Sequence, residues 1–385
     1  MASGILGIGI VSALGLNCAD NRHGLYAQSP APPQLPTRFA TELRKPVFEL
    51  RGLPVEEGHL GGYAVQMLDV ALDEALRVAR LSKDALSGKT VGIAIGTTVA
   101  CQLNNIPFYA KLRKGEMPDK APLVSYVYGS PAEYIQRKLN LSGPALTVSN
   151  ACASGADTIG IAHLWLEQGL CDIAIAGGTD EINKVPYEGF NALGVCSDEP
   201  CRPFDKARAG LNLGEAAGVV IMRRGIADDT QCAVAGFGKS SDAFHITQPE
   251  PEGRALEKAM RDAMAGMPDG EELAFINAHG TGTVANDLVE AKVFGRMFGG
   301  KVPFMSTKAL TGHTLGAAGA IEAIFTCFML ECGKAAASQR YAEKPNDFPV
   351  EPLKECLELD RPRYALSTSL AFGGSNSALL IQRNH

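Results

Sequence analysis

The fold is decided by residues 146–162, LTVSNACASGADTIGIA, which run from a short β-type stretch through a polar turn into small residues suited to a helix. The same order recurs in residues 304–325, FMSTKALTGHTLGAAGAIEAIF. This similarity of layout hints at two related halves of the chain, joined near residues 223–232.

Further short runs rich in Val, Ile and Ala alternate with helix-like segments along the chain. The runs predict strands at residues 4–11, 91–96, 146–149, 173–177, 216–222, 274–278, 303–306, 364–369 and 378–382. Helices are predicted at residues 61–81, 132–140, 156–168, 255–263, 284–294 and 317–331. Continuous apolar strands are typical of layered α/β proteins, whereas the Pro-rich stretch 26–55 predicts an excursion outside the core. The chain is therefore expected to form an α/β/α arrangement.

Composition excludes several classes of protein. With 385 residues, of which 46% are apolar and 20% charged, the chain can bury a sizeable core and is expected to be soluble and globular. The net charge of −6 argues against general nucleic-acid binding. The first residues lack the basic start of a signal peptide, and the apolar stretch 317–330 is interrupted by Glu322 and too short for a membrane span. A cytoplasmic protein is therefore predicted.

The chain contains ten cysteines but no pair with the CxxC spacing of redox or metal sites, so reduced thiols are expected. Cys152 differs from the rest because it follows a β-type run and precedes a helix-like one. That placement directs backbone N–H groups and the helix dipole at the sulfur, which predicts a lowered pKa and a nucleophile. Taken alone, the segment favours a nucleophile and a buried structural cysteine about equally.

Three other segments could contribute to a site with Cys152. His279 ends a hydrophobic run before a Gly/Thr turn and could act as a donor or base. Lys308 and His313 lie five residues apart, and Glu322 could neutralise Lys308. The alternative is that Lys308 and Glu322 form an ion pair with a purely structural role. In FGGSN, residues 372–376, the paired glycines let backbone N–H groups face a ligand, although such a corner is often only a turn.

Together these segments resemble the motifs of a known family. The motifs are ACASG around Cys152, AHGTGT around His279, STKALTGHTLGAAGAIEA around Lys308 and His313, and FGGSN from Phe372. They resemble those of β-ketoacyl-[acyl carrier protein] synthases of the Cys-His-His type, which include the KAS I/II enzymes and polyketide ketosynthases. GGTDEI at residues 177–182 agrees further, and the resemblance covers nearly the whole chain.

The resemblance implies a thiolase-like, five-layer α-β-α-β-α fold built from two pseudo-duplicated halves. The first half, residues 1–225, would carry Cys152; the second, residues 226–385, would carry the two histidines and Lys308. The implied reaction is the decarboxylative Claisen condensation of an acyl thioester, held on Cys152, with malonyl-acyl carrier protein. The product is a 3-ketoacyl thioester, in fatty-acid or polyketide and polyene synthesis.

The resemblance also assigns roles in this reaction. Cys152 would accept the acyl group, while its own backbone N–H and that of Phe372, beside Gly373, hold the oxyanion. His279 and His313 would assist decarboxylation and stabilise the enolate.

Other residues would support these steps. Lys308, paired with Glu322, would order and polarise the histidines. Thr281 and Thr283 would hydrogen-bond the pantetheine arm of the carrier. Neither a metal nor another cofactor is expected.

The implied partners are acyl- and malonyl-loaded carrier proteins and a second subunit. A homodimer is expected, and a heterodimer with a related subunit is open. Tyr126 and Tyr128 are candidates for the acyl pocket or the dimer interface, with ordinary core aromatics as the alternative. Leu370 stands where family members often have a second aromatic residue, which suggests a different gate to the acyl pocket.

Carrier docking is harder to assign, because PVEEGHLGGY at residues 54–63 lacks the basic residues common in the family. Four other cations are candidates for binding the carrier protein, namely Lys111, Arg113, Lys114 and Lys120. The alternative is that this run of residues is only a solvated loop. Where the family commonly reads RDGF, residues 208–211 read RAGL, a change expected to affect packing and not chemistry.

Two further readings of the family remain open. A chain-length factor shares the fold without catalysing the reaction, but such partners generally lack the cysteine. A thiolase would need a second cysteine in the C-terminal motif, and FGGSN has none. The acyl chain length and the pathway are not determined by the motif residues.

Overall fold

The computed structural model describes residues 2–56, 59, 61–98, 106–120, 123–124, 130–227 and 229–384. Its first five strands form one sheet with the order β1-β5-β4-β2-β3. They are β1 Ser3–Val11, β2 Val91–Gly96, β3 Ala145–Val148, β4 Ile173–Asp180 and β5 Ala216–Arg224. Strand β2 runs parallel to β3 and β4, whereas β5 runs antiparallel to β1 and β4.

The remaining strands form a second five-stranded sheet and a short ribbon. They are β6 Cys232–Ser241, β7 Leu273–Asn277, β8 Phe304–Met305, β9 Lys334–Ala335, β10 Leu357–Glu358, β11 Tyr364–Ala371 and β12 Ser375–Arg383. Strands β9 and β10 pair as the ribbon, and the sheet has the order β6-β12-β11-β7-β8. Counted along its own stretch of chain, this order and its pattern of parallel and antiparallel pairs repeat those of the first sheet. The proposed boundary at residues 225 and 226 lies between β5 and β6.

Helices lie outside each sheet and between the two sheets. Their bounds are α1 Cys18–Leu25, α2 Gly62–Val78, α3 Lys83–Leu86, α4 Ile106–Arg113, α5 Pro131–Leu139, α6 Ser154–Glu167, α7 Lys184–Ala192, α8 Arg254–Met264, α9 Val284–Phe298, α10 Lys308–Thr311 and α11 Ala318–Cys332. Helices α2 and α5 pack on the outer face of the first sheet, α6 and α11 lie between the sheets, and α8 packs on the second sheet with α9 beside it. The expected thiolase-like, five-layer α-β-α-β-α fold is thus confirmed.

The two middle helices approach each other through small residues at their N-terminal ends. A Cβ added at Gly155 would lie 2.7 Å from the backbone nitrogen of Ala320, and one added at Gly319 would lie 2.6 Å from that of Ala156. Real Cβ atoms do not come this close to backbone, so only glycine fits at these two contacts. The small-residue runs in both motifs therefore serve the packing of α6 against α11.

Helix α11 is unusually apolar. The segment Leu315–Cys332 is long and apolar enough to cross a membrane, but 89% of it is buried inside the protein. Its apolar character is therefore that of a core helix, and Glu322 is buried with it.

The nine predicted strands all coincide with observed ones, and the two-residue strands β9 and β10 were not predicted. Strand β6 was not predicted either. Its sequence, CAVAGFGKSS, contains two glycines, which are depleted in strands. The structure explains them, because a Cβ at Gly236 or Gly238 would lie about 2 Å from a backbone oxygen of α8. Helix α7 was also missed, since Pro186 and Gly189 interrupt its pattern; Asn183 caps it by accepting from the Val185 N–H.

Candidate active site

The predicted motifs meet at one cavity of about 440 Å³ between the two halves. Cys152 comes from the first half, and His279, His313, Leu370 and Phe372 come from the second; all five line the cavity. Residues more than 200 positions apart in the chain are thus brought to a single site.

Cys152 lies in the turn between β3 and α6. The preceding residue, Ala151, has a φ of 46°, a left-handed conformation that is uncommon for a residue other than glycine. The Phe372 backbone N–H lies close enough to the Cys152 sulfur to lower the pKa of the thiol. The two backbone groups predicted for the oxyanion hole therefore belong to residues in direct contact.

The prediction of a lowered pKa for Cys152 is wrong. Burial raises the pKa of this thiol to about 12, even though the charge of Lys308 and the Phe372 N–H both act to lower it. Cys152 is 4% exposed. Removing a thiolate from water therefore costs more free energy than Lys308 and the Phe372 N–H supply by stabilising it. Cys152 is therefore a neutral thiol near neutral pH.

The two histidines face each other, with ring centroids 5.3 Å apart and ring planes at 85°. The Leu315 N–H donates to His313 Nδ1 at 3.2 Å. Lys308 Nζ lies 3.2 Å from His279 Nδ1 and, as an ammonium group, can only donate to it. Burial and the charge of Lys308 hold the pKa of both histidines well below the ordinary value. Both rings are therefore neutral, with the hydrogen on Nε2.

Lys308 and Glu322 form the predicted ion pair, and both are almost completely buried. Lys308 Nζ also donates to the His279 carbonyl oxygen at 2.6 Å, so the pair is in contact with a cavity residue. Burial raises the pKa of Glu322 to about 7, an effect that Lys308 opposes. The pair thus places a buried positive charge directly behind His279.

Thr281 and Thr283 also line the cavity, and their hydroxyl oxygens lie 2.9 Å apart. Thr283 is the N-terminal cap residue of α9. Both hydroxyls are therefore on the cavity wall, and their contact with a pantetheine arm remains a proposal.

Sequence reasoning missed the buried carboxylates that hold the cavity loops. Glu290, on α9, accepts from the backbone N–H groups of His279 at 2.8 Å and Gly280 at 2.7 Å. Asp180, at the end of β4, accepts from the Gly316 N–H at 2.6 Å. An acidic residue on the apolar face of a predicted helix was the available signal for Glu290, because such a charge needs buried partners.

Phe190 was missed as well. Its ring stacks on that of Phe372 with centroids 5.6 Å apart, and its centroid lies 6.5 Å from that of His313. Leu370, which was predicted to lie at the acyl pocket, is buried in the cavity wall. Tyr126 and Tyr128 lie outside the described residues, so their predicted role stays a prediction.

The predicted docking cations are at the surface. Lys111 and Arg113 lie on α4, Lys114 and Lys120 follow it, and all four are exposed. Within the described ranges, no three His, Cys, Asp or Glu side chains are placed to hold a metal ion. The nine cysteines in those ranges are free thiols.

Two protein-family models match this chain. The model of the β-ketoacyl synthase N-terminal domain matches residues 55–226, and that of the C-terminal domain matches residues 231–341. The 3-oxoacyl-[acyl-carrier-protein] synthase 2 of Staphylococcus aureus (strain COL) is 32% identical over 365 residues, which are 87% of this chain and 86% of that protein.

Two further proteins are also similar. The tetracenomycin polyketide synthase ketoacyl synthase alpha subunit of Streptomyces glaucescens is 29% identical over 358 residues, 86% of this chain and 84% of that protein. Among solved structures, the ishigamide ketosynthase/chain length factor superposes with a TM-score of 0.91 at 28% identity, covering 100% of this chain and 99% of that one.

Proposed function

The chain belongs to the β-ketoacyl synthase family, and from that premise we propose that it is an active condensing acyltransferase. It would join an acyl group to a malonyl-derived unit on a carrier protein, with Cys152 as the nucleophile. The observation that carries this proposal is the meeting of a thiol, two neutral histidines and a backbone N–H on the sulfur in one cavity.

In the first half of the reaction, the Cys152 sulfur bonds to the carbonyl carbon of the acyl-carrier thioester. The carbonyl oxygen becomes an oxyanion, held by the backbone N–H groups of Cys152 and Phe372. When the intermediate collapses, the carrier thiol leaves with the proton lost by Cys152. Because the thiol is neutral at rest, this proton must leave during acylation, in the substrate complex.

In the second half, a malonyl-carrier thioester loses carbon dioxide, and the electron pair of the broken bond forms an enolate. The Nε2–H groups of His279 and His313 donate to the enolate oxygen. The enolate carbon then attacks the acyl-Cys152 carbonyl, and the cysteine sulfur leaves and takes up a proton. The products are a 3-ketoacyl-carrier thioester, carbon dioxide and free Cys152.

Lys308 would act behind the histidines. Its ammonium group holds Nδ1 of His279 as an acceptor, which leaves the hydrogen on Nε2, where a donor is needed. A preorganised donor of this kind contributes on the order of 10²–10³ in rate when it is aimed at developing charge. Glu322 keeps the buried charge of Lys308 paired.

The alternative within the family is a chain-length factor that does not catalyse the reaction. Retention of Cys152, His279, Lys308 and His313 in one cavity favours catalysis, because a subunit that only shapes a cavity needs none of them. Fatty-acid and polyketide or polyene roles are both compatible with these residues.

We propose that the chain works in the cytoplasm with acyl- and malonyl-loaded carrier proteins and as a dimer. The ishigamide structure contains a ketosynthase and a chain length factor, which supports a heterodimer with a related subunit beside the homodimer. Strand β3 is an edge strand on which Leu146 is exposed, and it is a candidate for the dimer contact. The four exposed cations on and after α4 remain candidates for carrier docking.

The proposal is tested by intact-mass measurement after incubation with acyl-carrier thioesters of different chain length, with and without malonyl carrier. We expect wild-type protein to gain one acyl group and to lose it when malonyl carrier is added. The Cys152→Ala variant is expected to fold but gain no acyl group.

Two results would overturn the proposal. Wild-type protein that is never acylated would remove the condensing activity and favour the chain-length factor. A Cys152→Ala variant that is still acylated would remove Cys152 as the nucleophile.

A further inference from the structure

We propose that a cluster of polar side chains next to the cavity, centred on the buried carboxylate of Asp157, positions the two N–H groups of the oxyanion hole relative to each other. The inference rests on the proposed function. The cluster, called the bridging cluster below, joins the turn that carries Cys152 to the strand that follows Phe372. Its members are Asn150, Asp157, Lys239, Ser375 and Ser377.

Asp157 is the centre of the bridging cluster. It lies in the first turn of α6 and is fully buried. Its carboxylate accepts from Asn150 Nδ2 at 2.6 Å, Lys239 Nζ at 2.5 Å and Ser377 Oγ at 2.5 Å. A buried carboxylate is tolerated when it is paired and hydrogen-bonded in this way. The carboxylate thereby ties α6, in the first half, to β6 and β12, in the second.

Asn150 extends the bridging cluster to the turn of Cys152. Its side-chain Nδ2 donates to Asp157 and also to Ser375 Oγ at 2.9 Å, while its backbone N–H donates to Ser154 Oγ at 2.8 Å. The next residue, Ala151, holds the left-handed φ noted above. Such a conformation is strained and persists only where the surroundings impose it.

The register of the second sheet places the other members. Ser375 and Ser377 are alternate residues of β12 and therefore share a face, and Ser377 lies opposite Lys239 on β6. Ser375 is the first residue of β12 and follows Phe372 by three positions. One amide group, that of Asn150, thus contacts the helix after Cys152 and the strand after Phe372.

This arrangement matters because the two N–H donors come from different halves of the molecule. No local turn sets their separation, so it must be set by contacts between the halves, and the bridging cluster supplies them beside the site. Among the residues that the structure describes, no side chain of the bridging cluster hydrogen-bonds to the Cys152 sulfur. It should therefore affect reactions that form an oxyanion and not the intrinsic reactivity of the thiol.

The test compares two reactions of Cys152 in the full-length protein. The first is acylation in a single turnover, at saturating concentration of the acyl-carrier thioester that acylates wild-type protein fastest. The second is alkylation by iodoacetamide, followed at Cys152 by peptide mass mapping, which forms no oxyanion. The variants are Asn150→Ala and Ser377→Ala.

The matched control is Ser3→Ala. Ser3 Oγ lies 2.8 Å from His163 Nδ1, which is on the C-terminal part of α6. This variant also removes one buried serine hydroxyl that connects α6 to a strand, but far from the cavity. Both reactions should stay within about twofold of wild type in the control.

We expect Asn150→Ala to lower the acylation rate constant by about 30- to 100-fold and Ser377→Ala by about 3- to 10-fold, less than the 10²–10³ for a donor removed outright. Alkylation should change by less than about twofold in both. Acylation at the wild-type rate in both variants, or an equal loss in both reactions, would overturn the inference. If Asn150→Ala does not fold, Ser377→Ala alone decides. Wild-type protein that is not acylated would instead overturn the proposed function itself.

Discussion

Two strand–turn–helix units meet at the cavity, and they share a layout but differ in their electrostatics. The nucleophile unit, residues 145–167, contains β3, the Cys152 turn and α6. The lysine unit, residues 304–332, contains β8, the turn with Lys308 and His313, and α11. Their helices pack side by side through Gly155 and Gly319. Only the lysine unit places a buried ion pair at the turn.

The comparison shows that the protonation state of Cys152 is set by burial and by a cation from the other unit. The nucleophile unit presents its thiol at a helix start, yet burial raises the pKa of Cys152 to about 12. The cation that most strongly opposes this shift, Lys308, belongs to the other unit, and it also lowers the pKa of both histidines. A helix N-terminus by itself does not ionise a buried thiol. The charge that favours the thiolate comes from Lys308, in the other half of the chain.

Removing the charge from the lysine unit should have the largest effect on this contrast. We expect Lys308→Met to lower the condensation rate by about 10²–10³-fold, because His279 loses the donor that holds its hydrogen on Nε2. Turnover of acyl and malonyl carriers measures the loss. Lys334→Met, which removes an exposed partner of Glu358, is the control and should leave turnover unchanged. Full turnover in Lys308→Met would contradict the role given to the ion pair.

The protonation state of Cys152 sharpens the same contrast. Because its pKa is raised, the thiolate fraction keeps growing as the pH rises, and the iodoacetamide rate at Cys152 should increase about tenfold per pH unit from pH 7 to 9. Peptide mass mapping separates Cys152 from the exposed Cys332 and Cys356. A rate that is level across this range would show a lowered pKa, and a rate that levels off toward pH 9 would show an ordinary one.

Separating the two units at their contact should destabilise the fold. Gly155→Ala would push a methyl group against the Ala320 backbone, and we expect a loss of about 1–3 kcal/mol in the free energy of unfolding. Urea denaturation measures it. Gly189→Ala on α7, where a Cβ would meet nothing within 4 Å, is the control and should be neutral or slightly stabilising. Equal stability of the two variants would remove the packing argument.

The smallest effect is expected outside both units, in the cavity wall. Leu370→Phe should narrow the cavity and shift the preference toward shorter acyl chains by about tenfold, in line with the small discrimination that apolar pockets achieve. The acyl-carrier panel measures this shift. The control Leu357→Phe, at an exposed position on the β9–β10 ribbon, should leave the preference for acyl-chain length unchanged. An unchanged preference in Leu370→Phe would exclude Leu370 from the acyl pocket.

Much of the fold could be predicted from sequence because its signals are local. Strands were predicted correctly where consecutive residues are all apolar or small, as in Val91–Gly96 and at the start of Ile173–Asp180. Strand β6 was missed because Gly236 and Gly238 weaken the local pattern, and their purpose is the approach of α8, which is distant in sequence. Helix α7 was missed for the same kind of reason, since its proline and glycine are tolerated by the surrounding fold.

The features of the site also separate into those predicted from local sequence and those set by tertiary contacts. Residue types at fixed spacings predicted the motif residues and their order, and they suggested that Glu322 neutralises Lys308, which the structure confirms. Three features became visible only in the fold: the Phe372 N–H lies beside the Cys152 sulfur, Glu290 holds the His279 loop, and burial raises the pKa of the thiol. The physical reason is that burial and contacts between the halves set the energies of these groups, and neither is a property of neighbouring residues in the chain.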